Sequence, residues 1–131
     1  VKTDEIVSAV QQSAGIDTPE HARRAVHATI NVLGHRLFGG ETKDLASQLP
    51  DEFAAELPER GPGERFGVGE FYQRVSDTEG LGCTPQQARQ HARAVAAALK
   101  VAVTGWEFDH MAAQLPREYE DLLSTGPVQH H

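Results

Sequence analysis

The chain repeats itself. Shifted by 66 positions, residues 18–57 align without a gap on residues 84–123. Thr18-Pro19 returns as Thr84-Pro85, Ala22-Arg23 as Ala88-Arg89, Leu33 as Leu99, Gly39 as Gly105 and Glu41 as Glu107. Gln48-Leu49-Pro50 recurs intact as Gln114-Leu115-Pro116, followed by Glu52 and Glu118, then Leu57 and Leu123. With one inserted residue the match extends upstream, where Glu5-Ile6-Val7 and Val10 answer to Glu70-Phe71-Tyr72 and Val75. Self-similarity of this kind means that one supersecondary unit is used twice, and that each copy buries its apolar face against the other. We therefore read a single domain over residues 1–131, with repeat one at 3–57, a linker at 58–69, repeat two at 70–123 and a tail at 124–131.

Each copy reads as four helical segments. The first carries Ile6, Val7 and Val10, or Phe71, Tyr72 and Val75. The second opens on Thr18-Pro19 or Thr84-Pro85. The threonine hydroxyl there accepts from an orphan backbone N–H, and a proline at the first helical position has no N–H to satisfy. Gln87 adds a capping box to the second copy. Ala22, Val26, Ile30, Leu33 and Leu37 then recur at helical spacing, with Gly39-Gly40 as the expected stop. Leu45, Leu49, Phe53 and Leu57, matched by Met111, Leu115, Tyr119 and Leu123, form the stripe of the last two segments, which Pro50 and Pro116 divide. Residues 58–69 are rich in Gly and Pro and read as a tether that Phe66 and Val68 hold to the core. No segment reads as a β-strand. The expected fold is an all-α helical bundle of two tandem repeats related by a pseudo-twofold.

These residues resemble the bacterial family known as domain of unknown function 2267. The carriers are Gly39-Gly40-Glu41 with Asp44-Leu45, the Gln-Leu-Pro pattern at Pro50 and Pro116, and His91-Ala92-Arg93-Ala94-Val95. Trp106 departs from the pattern where a second Gly would stand. The resemblance covers nearly the whole chain and implies a small helical protein of a bacterial, often actinobacterial, kind; it brings no activity and no site residues.

A helix apolar nearly all round is buried on several sides. The segment Pro85 to Val103 has that character, so it is expected at the centre, with Ala94, Ala98 and Val101 packed on Ala28 and Val32. The other reading of that Ala-rich face is a homodimer surface, which leaves the chain a monomer or a homodimer.

Charge limits the functions. The formal net charge of −7 argues against general nucleic-acid binding. No apolar run reaches the length of a membrane span. The single cysteine forbids an internal disulfide, and with no basic-then-apolar leader the expected location is cytoplasmic.

No candidate site stands out. His27, Asn31 and His35 share one helix face, but the two imidazoles are about 12 Å apart along the axis, too far for one zinc. Glu41, Asp44 and Glu107 are explained by helix N-termini, which favour negative charge. Cys83 precedes another N-terminus and reads as a modestly reactive surface thiol. No catalytic set, cofactor motif or metal-ligand spacing is assigned. His130 and His131 are left out of every site. The surface hint is Arg89, Arg93 and Lys100, which project within one sector with no acid nearby in sequence. The first expectation is accordingly a non-enzymatic cytoplasmic protein-interaction or regulatory module that docks an unidentified protein partner through these three cations. The alternative is a small-molecule or metal-ion binder whose site lies at the seam between the repeats, with Asn31, His35, His91 and Trp106 as its residues.

Overall fold

In the computed structural model, which describes residues 2–124, helix accounts for 69% of the described residues. The elements run α1 (Thr3–Ala14), α2 (Pro19–Arg36), β1 (Phe38–Gly39), α3 (Glu41–Ala46), α4 (Asp51–Ala54), β2 (Gly61–Pro62), α5 (Val68–Glu79), α6 (Pro85–Ala102), α7 (Gly105–Ala112), a 3-10 turn (Arg117–Tyr119) and α8 (Glu120–Leu123). No helix among the described residues is long and apolar enough to cross a membrane.

The two longest helices start as their sequences dictate. The Thr18 hydroxyl accepts from the His21 N–H at 3.1 Å. At Thr84 the exchange is reciprocal: the Gln87 N–H donates to the hydroxyl at 3.1 Å, and the Thr84 N–H donates to the Gln87 side chain at 3.0 Å. Thr84→Ala removes an acceptor that no neighbour replaces, and is expected to cost about 1 kcal/mol in urea unfolding. Pro50 and Pro116 each stand immediately before a new short segment.

Four long helices make the core: α1 packs on α2 and α6, and α5 packs on α6 and α2. Helix α6 is central as expected, with Ala88, His91, Ala92, Ala94, Val95, Ala96, Ala98 and Leu99 all buried. Ala28 and Val32 are buried too, but Val101 is 81% exposed and takes no part in the expected seam. It lies a turn beyond Ala98, past the covered stretch of that face.

Two further expectations are corrected around residues 37–69. Helix α2 ends at Arg36, before the Gly-Gly pair, and Leu37 closes it with an N–H bond to the Leu33 carbonyl. Gly39, at φ 70°, instead enters a two-stranded antiparallel ribbon in which Phe38 faces Pro62 and Gly39 faces Gly61. Side-chain pattern cannot announce such a ribbon, because backbone groups alone make it and Gly and Pro are poor strand formers. The segment from 58 to 69, where Phe66 is buried and Val68 packs against the core, is held by backbone contacts as well. A Cβ on Gly61 would come within 2.1 Å of the Leu37 carbonyl oxygen, so the two backbones touch there. Farther on, the Phe66 carbonyl accepts from Arg36 Nε at 3.0 Å and from the Tyr119 hydroxyl at 2.8 Å. The sequence beyond Ser124, with His130 and His131, lies outside the described residues.

Candidate metal centre

Helices α3 and α7 lie against each other, and two glutamines fix how they meet. Gln48 Oε1 accepts from the Thr104 N–H at 2.8 Å. Gln114 Oε1 accepts from the Phe38 N–H at 2.9 Å, and Gln114 Nε2 donates to the Phe38 carbonyl at 3.2 Å. Each glutamine, one from each Gln-Leu-Pro, thus reaches to the backbone that leads into the other short helix. The Thr104 hydroxyl accepts from the Glu107 N–H at 3.1 Å and starts α7.

This arrangement turns Glu41 and Glu107 inward and toward each other. They are only 3% and 2% exposed. One carboxylate oxygen of each, Glu41 Oε2 and Glu107 Oε2, is buried without any hydrogen-bond partner. His110, one turn on from Glu107, brings Nδ1 to 2.8 Å from Glu41 Oε1. One ligand atom from each of Glu41, Glu107 and His110 lies within 4.8 Å of the others. Asp44 remains exposed at the rim.

Two buried carboxylates cannot both carry full charge at close range without compensation. The Glu107 carboxyl is accordingly pushed up to about 7, first by the facing Glu41 carboxyl, to which it donates once protonated, then by burial and by the charges of Glu41 and Asp44. The same carboxylates raise His110 above the ordinary imidazole value, the hydrogen bond to Glu41 leading. At this point a Glu107 carboxyl raised by the facing Glu41 and by burial replaces the expectation of a plain helix-start charge.

The other sequence candidates lie elsewhere. Trp106 is 69% exposed and stacks flat on His110, centroids 4.7 Å apart at 13°. Asn31 donates to Glu56 at 3.2 Å and lines an open groove of about 430 Å³ with Arg23, Arg24, His27, Glu56 and Thr78. His35 sits within 3.0 Å of the Asn31 carbonyl of its own helix. His91 is buried against Glu79. Asn31, His35, His91 and Trp106 therefore do not converge on one site. His27 lies 2.7 Å from both Glu52 and Glu56.

The basic sector has internal partners. Arg89 clasps Asp121 through two bonds of 2.8 and 2.7 Å, Arg93 donates to the Asp121 carbonyl, and Lys100 Nζ reaches the Leu123 carbonyl at 3.3 Å. The Arg89 bonds first, then the Tyr72 hydroxyl donating at 2.6 Å, hold the Asp121 carboxyl well below the usual carboxylate range. Arg89, Arg93 and Lys100 together dock α8 onto α6. Cys83, expected as a modestly reactive surface thiol, is half-buried, and burial, then the neighbouring Glu79 carboxylate, push it up to about 11.

A family model described as "Uncharacterized conserved protein (DUF2267)" matches residues 3–122. No curated protein matches the sequence.

Proposed function

The chain belongs to the DUF2267 family, and we propose that this member binds a divalent metal ion at Glu41, Glu107 and His110. The observation that carries the proposal is the pair of buried, unpartnered carboxylate oxygens, Glu41 Oε2 and Glu107 Oε2. An unsatisfied buried polar atom is costly and calls for a proton, a water or a cation. A divalent ion neutralises both carboxylates at once, and the His110 imidazole supplies a third ligand. Two carboxylates with one imidazole suit Mn²⁺, Fe²⁺ or Zn²⁺ better than an alkaline-earth ion held by oxygens alone. Three protein ligands leave coordination positions open on the side of His110, whose side chain is 53% exposed.

The tandem arrangement of residues 3–57 and 70–123 belongs to the same reading. Its support is reciprocity: contacts across a twofold come in pairs, residue i with j and j with i. Gln48 and Gln114 are counterparts in the two halves, as are Thr104 and Phe38, and each glutamine bonds the other half's backbone. Helix α1 packs on α6 as α5 packs on α2. In such an arrangement Glu41 and Glu107 meet because they flank the axis. The docking-module reading has less support, since Arg89, Arg93 and Lys100 are engaged with α8.

Trp106 is the single tryptophan and stacks on His110, so its fluorescence reports on this site. Titration with Mn²⁺ at pH 8 is expected to quench it saturably at one equivalent. The affinity should fall by at least about tenfold in Glu41→Gln and in Glu107→Gln. It should also fall as the pH drops below 7, where a proton competes for Glu107. Absence of quenching up to millimolar Mn²⁺, together with no bound metal by mass analysis, would mean that the two carboxyls share a proton and hold no ion.

A further inference from the structure

A second cluster lies on other helices, and we infer that His21, Glu79 and His91 form a separate site for zinc between α2, α5 and α6. His21 Nε2 lies 2.8 Å from Glu79 Oε2, and His91 Nδ1 lies 3.0 Å from Glu79 Oε1. One ligand atom from each of the three residues falls within 4.8 Å of the others. Neighbouring ligands around tetrahedral zinc, with bonds of about 2.05 Å, stand about 3.3 Å apart. A retreat of a few tenths of an ångström by each ring therefore opens the place of the ion. Two imidazoles and a carboxylate are also a set that zinc takes with a fourth position free.

The charge balance points the same way. Glu79 is 0% exposed, yet no Lys or Arg among the described residues reaches its carboxylate. The groups that face it are His21 from α2, His91 from α6 and the thiol of Cys83 from the loop after α5. Arg24, the nearby cation, donates instead to the Glu79 main-chain carbonyl. A buried carboxylate whose partners are imidazoles has its full counter-charge only when those rings are protonated. Zinc supplies that charge with both rings neutral, which is the form in which histidine binds metal.

The backbone holds each ligand in place. Glu79 is the last residue of α5, and Gly80, Leu81 and Gly82 follow at φ 69°, 56° and 73°. Leucine in the left-handed region is uncommon and costs energy, and such outliers gather at functional sites. The His21 N–H is the donor captured by the Thr18 cap. The two imidazoles meet edge-on, with centroids 5.6 Å apart at 86°. The His21 side chain is 34% exposed and gives the ion its way in, while His91 is almost wholly covered.

The test uses the full chain carrying Glu41→Gln and Glu107→Gln, so that the first centre cannot contribute. Zinc binding is followed by calorimetry and by competition with a chromogenic chelator. Cobalt(II) is the spectroscopic substitute, because its visible ligand-field bands intensify when tetrahedral. One equivalent of zinc is expected to remain, with intense cobalt bands. Both should be lost in His21→Ala, whose partly exposed position spares the core, and in Glu79→Gln. Circular dichroism checks that each variant is folded. Zinc affinity unchanged in folded His21→Ala, or no zinc retained by the parent against a chelator of roughly micromolar affinity, overturns the inference. Trp106 quenching reads the first centre alone, so failure at one centre is separable from failure at the other.

Discussion

At pH 8 in metal-free buffer, Glu107→Gln is expected to melt roughly 8 °C above the parent chain, whereas at pH 5 the two should melt together. The parent's Glu107 has its folded-state value raised from 4.5 to about 7. A carboxyl raised in the folded state binds a proton more readily there than in the unfolded chain. Its contribution to stability is full below pH 4.5 and is lost as the pH rises through 7. A tenfold difference in proton affinity is worth about 1.4 kcal/mol, so the loss between pH 5 and pH 8 amounts to about 2.5 kcal/mol. An amide at 107 stays neutral over that range and offers an N–H to Glu41, so the variant keeps what the parent gives up. His110, also raised, loses stabilisation in the same direction; its leading cause, the bond to Glu41, is present in both chains, and only the smaller contribution of the Glu107 charge is missing from the variant. Adding Mn²⁺ at pH 8 should then raise the parent more than the variant, the ion having replaced the missing proton. Parallel melting curves from pH 5 to pH 8 would show that Glu41 and Glu107 do not share a proton.

The local features of this fold were legible, and those that needed two distant segments to meet were not. The caps at Thr18 and Thr84 are written in four consecutive residues, and the burial of α6 is written in its own composition. Glu41 and Glu107 were visible as counterparts, yet each taken alone is a glutamate at a helix start. Their significance depends on α3 lying against α7, which side-chain periodicity does not encode. A signal was nevertheless available. In the proposed tandem arrangement, a residue near the pseudo-twofold axis would meet its own counterpart. An acidic residue present in both copies, next to a crossing pair of glutamines, could have been read as a facing pair. The cluster at His21, Glu79 and His91 had no such signal. Glu79 and His91 stand on different helices, and His21 comes from 58 positions upstream of Glu79, so no spacing along one helix brings the three together. The basic sector failed for the opposite reason: Arg89, Arg93 and Lys100 do share a sector, but their partners Asp121 and Leu123 arrive only when α8 folds back.

Tyr119→Ala is expected to be the most damaging single truncation, costing about 4 kcal/mol and lowering the melting temperature by roughly 12 °C. The side chain is wholly buried, meets Phe71 edge-on at 5.8 Å and lies under the Arg36 guanidinium at 5.5 Å. Its hydroxyl is also one of two donors to the Phe66 carbonyl. Tyr119→Phe keeps the ring and leaves Arg36 Nε on that carbonyl, so it should cost only about 1 kcal/mol. The two variants differ in what they do to residues 58–69. Arg60 and Arg65 are exposed there, yet native trypsin cleavage at them should be slow while the Gly61–Leu37 contact and the Phe66 anchor hold the backbone. Losing the ring of Tyr119 removes the surface under Arg36, the other donor to the Phe66 carbonyl, and cleavage under native conditions should accelerate in Tyr119→Ala far more than in Tyr119→Phe. If Tyr119→Ala loses stability but its native-state cleavage at Arg60 and Arg65 stays at the parent rate, the ribbon of Phe38–Gly39 with Gly61–Pro62 holds the segment by itself.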